Sequence, residues 1–128
     1  MYTVAVSSEF TARHFMIGGD FGAENLPHAH RYRVEFSVFG TQLDAHGFLV
    51  DIDHLNALLA EGIGRYSDRL LNEMPDFSGL NPSLEHLCRL LCRRLAAALA
   101  APASGSVKLT LWESPQAWAA YTTGLPCT

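Results

Sequence analysis

The sequence predicts an α+β fold of order ββααββ, a four-stranded antiparallel sheet with two helices on one face. Three observations carry this. Two segments in the first forty residues alternate apolar and polar side chains, as half-buried strands do. Two middle segments set leucines at helical spacing. Two short alternating segments follow near the end of the chain. Strands at both ends with helices between them fit an antiparallel sheet covered by helices, not a parallel βαβ array.

The first strand is expected over 2–16, where Val4, Val6, Phe10, Ala12, His14 and Met16 share one parity and Ser8 interrupts them. Residues 17–27 (IGGDFGAENLP) are rich in turn formers and read as a loop. A second strand is expected over 28–39, with Tyr32, Val34, Phe36 and Val38 alternating against Arg31, Arg33, Glu35 and Ser37. A turn over 40–47 leads to a short extended piece, Phe48-Leu49-Val50. Asp51 or Asp53 then caps a helix whose apolar face is Leu55, Leu58, Leu59, Ile63 and Tyr66. Residues 67–80 read as irregular. Asn81-Pro82 is a plausible start for the second helix, with proline at the first helical position. Glu85 falls in its first turn, where the helix dipole favours a negative charge. Its apolar face is Leu84, Leu87, Leu91, Leu95 and Ala98. After a break at 101–105, Val107, Leu109 and Leu111 alternate with Lys108 and Thr110, and residues 117–123 make a fourth strand. The outer strands of such a sheet present open edges, which favours assembly into an oligomer.

The length of 128 residues suits a single domain spanning 1–128. Hydrophobic residues make up 48% and charged residues 17%, so the chain can build a core and is not of disordered composition. No apolar run approaches the roughly 18 residues of a membrane span. The N-terminus MYTVAVSSEF has no basic region followed by a long apolar stretch, so a cytoplasmic protein is expected. A net charge of −4 without an arginine or lysine stripe argues against a nucleic-acid partner. Three cysteines, an odd number, do not form a disulfide framework. Cys88 and Cys92, four apart on an apolar helix, read as small core residues.

Three of the six histidines form a suggestive set. His28 and His30 are two apart at the start of a strand, on one face, with side chains roughly 6–7 Å apart. If the first two strands pair as a hairpin, His14 lies at the same end of the sheet. Three imidazoles with an open fourth position are the pattern of catalytic zinc. On spacing alone the same pattern also fits structural histidines. His46, His54 and His86 read as structural or solvent-facing.

The chain resembles the 6-pyruvoyltetrahydropterin synthase and 6-carboxytetrahydropterin synthase family, from about Phe10 to Tyr121. The family's F-x-A-x-H segment is matched by Phe10-Thr11-Ala12-Arg13-His14, and its H-G-H-x-Y motif by His28-Ala29-His30-Arg31-Tyr32. Gly47-Phe48-Leu49-Val50-Asp51 matches the step before the first helix. Asn81-Pro82-Ser83-Leu84-Glu85 matches the N-P-T-x-E helix start, and Glu113 and Tyr121 match a late glutamate and tyrosine. The resemblance implies the tunnelling fold, a homo-hexamer built as a dimer of trimers, and a pterin site between subunits. It implies zinc on His14, His28 and His30. It also implies that Glu113 anchors the pterin ring, a carboxylate accepting two N–H bonds from the 2-amino-pyrimidinone edge. On residue type alone, Glu113 is equally a strand-end surface charge. The implied activity is a lyase or synthase on 7,8-dihydroneopterin triphosphate. Triphosphate is eliminated, and acetaldehyde is also lost in the carboxy branch.

The chain departs from the family at its proton-transfer residues. The position of the catalytic cysteine, four before His28, holds Glu24. The Asp-His pair falls on Ser67-Asp68, or on Asp68-Arg69 after a one-residue slip, and Asn72 aligns with the asparagine that follows the pair. The glycine between the two metal histidines is Ala29. Glu24 and Asp68 are therefore the candidate acid/base groups, with Glu24 equally readable as a solvated loop carboxylate. Some family members with a glutamate near this position are associated with a folate-pathway reaction that gives 6-hydroxymethyl-dihydropterin, which is a second possible activity. A zinc- and pterin-binding homologue without turnover is a third.

Overall fold

A computed structural model describes residues 1–100 and 104–126. The predicted break at 101–105 therefore falls largely outside the described residues, as does Cys127. The order of elements is β1 (Tyr2–His14), β2 (His28–Gly40), α1 (Ile52–Tyr66), α2 (Leu84–Ala98), β3 (Ser106–Ser114) and β4 (Ala117–Gly124). Short 3-10 turns lie at Gly22–Asn25, Leu71–Glu73 and Pro75–Phe77. The strands form one antiparallel sheet in the order β1-β2-β3-β4. The α+β prediction holds, with its four strands and two helices.

The expected parity sets the faces. Val6, Phe10 and Ala12 of β1, Tyr32, Val34, Phe36 and Val38 of β2, and Val107, Leu109 and Leu111 of β3 are all buried on the side of the helices. Leu55, Leu58, Leu59, Ile63 and Tyr66 of α1 meet Leu87, Leu91 and Leu95 of α2 in the same core. Ser8 keeps the strand parity but stays exposed.

Several boundaries differ from the expectation. β1 stops at His14, because the backbone of Phe15 turns to pair with the side chain of Asn72. Phe48-Leu49-Val50 is a bend, not a strand, held by Asp44 accepting from the backbone N–H groups of His46 and Phe48. Asp51, not Asp53, caps α1 by accepting from the Asp53 N–H at 2.9 Å. Ser83, not Asn81, caps α2 by accepting from the His86 N–H at 3.1 Å. Pro82 thus precedes the cap instead of occupying the first helical position. Asn81 is engaged elsewhere: its side chain accepts from Ile17 and its carbonyl from His86 Nδ1. Ala98 is exposed; Cys88, Cys92 and Ala96 complete the apolar face of α2 in its place. Among the described residues, no helix is long and apolar enough to cross a membrane.

Candidate metal centre

The β1–β2 register sets His14 directly opposite His28 and Ala12 opposite His30. All four side chains therefore point to the helix-covered face, at the end of the sheet. The imidazole centroids of His14 and His28 are 4.6 Å apart, and each lies 4.9 Å from that of His30. One ring nitrogen from each histidine falls within 4.8 Å of the others. Edge-on packing keeps the rings nearly perpendicular instead of stacked.

Two of the rings are held by carbonyl oxygens. His14 Nδ1 lies 2.8 Å from the Pro82 oxygen, and His28 Nδ1 lies 2.9 Å from the Leu26 oxygen. A carbonyl only accepts, so each Nδ1 carries the proton and each Nε2 keeps its lone pair. This is the outer support by which protein metal sites fix the tautomer and aim of a histidine ligand. Burial pulls the basicity of His14 down, against the bond to Pro82, and the neighbouring His28 and His30 push it the same way. Neutral imidazole is the form that binds metal, and the surroundings of His14 favour it. The donor set fits a divalent ion of borderline softness, such as zinc.

The local sequence explains the support. Beyond β1, Asn72 brackets Phe15 by accepting from its N–H and donating to its carbonyl, both at 2.9 Å. Asn25 donates to the Met16 and Gly19 carbonyls. These side chains keep the loop between β1 and β2 folded back over the end of the sheet. Ala29 has an ordinary φ; among the described residues, Asp68 is the one non-glycine with positive φ. The missing glycine between the two histidines therefore costs no backbone strain.

Glu113 lies on β3 one residue past Trp112, which pairs with Arg33. The β2–β3 ladder ends there and β3 is irregular at Glu113, but the Glu113 charge acts on both Tyr32 and His14, so it lies near them. Burial, and then Glu113, push the Tyr32 phenol well above its ordinary pKa. The histidines and Glu113 thus lie at the same end of the sheet.

The other two candidates are not members of the three-histidine cluster. Glu24 is exposed on the 3-10 turn ahead of His28, and its carbonyl accepts from the Met16 N–H at 2.7 Å. Asp68 adopts φ +60° on the outer edge of β1, where its N–H reaches the Thr11 carbonyl. It lines a cavity of about 1400 Å³ with Arg13, Arg65, Arg69 and Asp76, and none of the three histidines lines that cavity. Residue patterns did not single out the carbonyls of Pro82 and Leu26 as parts of the site. A carbonyl that supports a ring leaves no trace in residue type.

The family model described as 6-pyruvoyl tetrahydropterin synthase matches residues 3–124. The 6-carboxy-5,6,7,8-tetrahydropterin synthase of Bacillus subtilis (strain 168) is 40% identical over 68 residues, which are 53% of this chain and 44% of that protein. The match therefore spans less than half of that relative's length. The structure of Caenorhabditis elegans 6-pyruvoyl tetrahydropterin synthase superposes with a TM-score of 0.85 at 19% identity, covering 95% of each chain. A Plasmodium vivax 6-pyruvoyltetrahydropterin synthase with a catalytic glutamate replaced by alanine superposes with a TM-score of 0.74 at 15% identity, covering 97% of this chain and 98% of that one. At these identities the two structures speak to the fold.

Proposed function

The chain belongs to the 6-pyruvoyl tetrahydropterin synthase family, and from that premise we propose that it is a zinc-dependent pterin lyase or synthase acting on 7,8-dihydroneopterin triphosphate or a similar pterin. The observation that carries the reading is the histidine triangle, two of whose rings are aimed by backbone carbonyls, on the same sheet end as Glu113.

His14, His28 and His30 would hold the zinc. When bound, the ion supplies Lewis acidity toward oxygens of the substrate side chain. Glu113 accepts the N–H bonds of the pterin's amino-pyrimidinone edge and so fixes which end of the ring faces the metal. Glu24 takes a proton from the side chain as the general base, in place of a cysteine. Asp68 relays a proton; its position on the outer edge of β1 suits service to the site of a neighbouring chain in a homo-hexamer. The substitution at Glu24 favours one second reading, a lyase of the folate pathway that releases 6-hydroxymethyl-dihydropterin.

The test is to quantify zinc in the purified protein, incubate it with 7,8-dihydroneopterin triphosphate and identify the product by mass spectrometry. A carboxy- or pyruvoyl-tetrahydropterin product supports the first reading and 6-hydroxymethyl-dihydropterin the second. Pterin binding without any product would mean a binding protein that has lost turnover. Undiminished turnover in Glu24→Gln would remove Glu24 as the base.

A further inference from the structure

Tyr32 carries a contradiction that the metal site does not explain. Its side chain is 1% exposed, and its hydroxyl is the one buried side-chain nitrogen or oxygen among the described residues without a hydrogen-bond partner. Buried tyrosine hydroxyls ordinarily find one. The comparison within this molecule is direct. Tyr66, equally buried, donates its hydroxyl to Asp76 at 2.8 Å.

The position of Tyr32 suggests what its hydroxyl is for. It follows His30 by two residues on β2, so both side chains leave the same face. Its ring stacks on Phe10 at 5.2 Å and lies 5.7 Å from the His30 ring. Glu113 is close enough for its charge to act on the phenol. Tyr32 is therefore near both the group proposed to grip one end of the pterin ring and the histidines proposed to serve its side chain. Glu113 only accepts hydrogen bonds, and the free Nε2 atoms of His14 and His28 are lone pairs. Neither satisfies an acceptor on the ligand. A pterin carries acceptors, a carbonyl oxygen and a ring imine nitrogen, along the edge between its amide end and its side chain.

We propose that the Tyr32 hydroxyl is a ligand-contacting hydrogen-bond donor to that acceptor edge. Glu113 then reads the donors of the ring and Tyr32 reads its acceptors, so the pair discriminates a pterin from rings that lack either set. Phe10 holds the phenol by stacking and offers its hydroxyl no hydrogen bond. The proposal rests on the pterin reading given above.

The experiment compares the wild-type protein with Tyr32→Phe, both loaded with zinc. The probe is neopterin, its binding followed by fluorescence quenching, with thermal unfolding and zinc content measured in parallel. The variant is expected to bind neopterin about tenfold more weakly, the loss of one hydrogen bond. Its zinc content should be unchanged and its Tm equal or higher, because it removes a polar atom that has no partner in the folded protein. Neopterin affinity within threefold of wild type would overturn the proposal. So would a lowered Tm in the variant, which would mean that the hydroxyl serves the fold. If the wild-type protein itself binds no neopterin, the pterin reading fails and this proposal with it. Wild-type binding that Tyr32→Phe leaves intact removes this proposal alone.

Discussion

His14 Nδ1 donates to the main-chain oxygen of Pro82 at 2.8 Å, across 68 residues of chain. The bond joins the end of β1 to the residue before the cap of α2, and it points the other ring nitrogen toward His28 and His30. If that triangle is a metal site, its three rings are not interchangeable with the other histidines. The wild-type protein is expected to carry about one zinc ion per chain. Each of His14→Ala, His28→Ala and His30→Ala should lose most of it on dialysis against a mild chelator. His46→Ala, on an exposed turn, should retain it. Metal analysis by mass spectrometry decides; equal retention in all four variants would remove the site.

Asp76 is a second centre, with a stabilising role. Its carboxylate accepts from Arg65 Nε and Nη2 and from the Tyr66 hydroxyl, and Arg94 lies 3.6 Å away. The Arg65 bond, more than the opposing cost of burial, holds its pKa down to about 2. A depressed carboxylate stabilises the fold above its unfolded pKa, near 4, and that contribution fades as pH falls toward 2. A shift of this size corresponds to about 2 kcal/mol. Asp76→Asn is expected to unfold about 2 kcal/mol more easily at pH 7. Urea titrations at pH 7 and below pH 3 should find the gap between wild type and variant narrowing in acid. A constant gap would show that the carboxylate charge is not what matters.

Two glycines of α1 should respond in opposite directions. A Cβ at Gly62 would lie 2.7 Å from Leu95 Cδ2 and 3.0 Å from Leu91 Cδ1, both in side chains of the closed core. A Cβ at Gly64 would meet nothing within 4 Å. Gly64→Ala should gain about 0.5–1 kcal/mol from helix propensity. Gly62→Ala gains the same propensity but overpacks the helix contact, which costs about 1–3 kcal/mol. It should be destabilised by about 1 kcal/mol. Chemical denaturation of the two variants measures both signs.

Cys88 is packed under the sheet, where its thiol donates to the Leu109 carbonyl at 3.2 Å. Burial pushes its pKa up to about 12. At pH 8 the reactive thiolate is therefore scarce as well as shielded. Cys88 should resist iodoacetamide in the native protein and react in denaturant, as peptide mapping would read. Rapid native labelling would contradict the core role expected from its place on an apolar helix.

The sequence by itself determined the elements and their faces. Strand parity assigned Phe10, Ala12 and His14 to one side, and helical spacing assigned Leu55, Leu59, Leu87 and Leu91 to another, because both periods are local properties of the backbone. Parity also aligned the three histidines, which needed only the hairpin pairing to meet. The ordered motifs around them pointed to the family. Only the tertiary structure decided what lies behind those residues. The Pro82 carbonyl that aims His14, the Asn72 side chain that ends β1 at Phe15, and the Arg65–Asp76–Tyr66 group are partners brought in from distant segments. Asn81 looked like a cap but was drawn to Ile17 and His86, leaving Ser83 to cap α2. The place of Asp68 outside the histidine cluster, and the missing partner of Tyr32, are equally non-local. The chain's own periodicity decides which way a side chain points. What it meets there depends on how distant segments pack, and no local pattern encodes that.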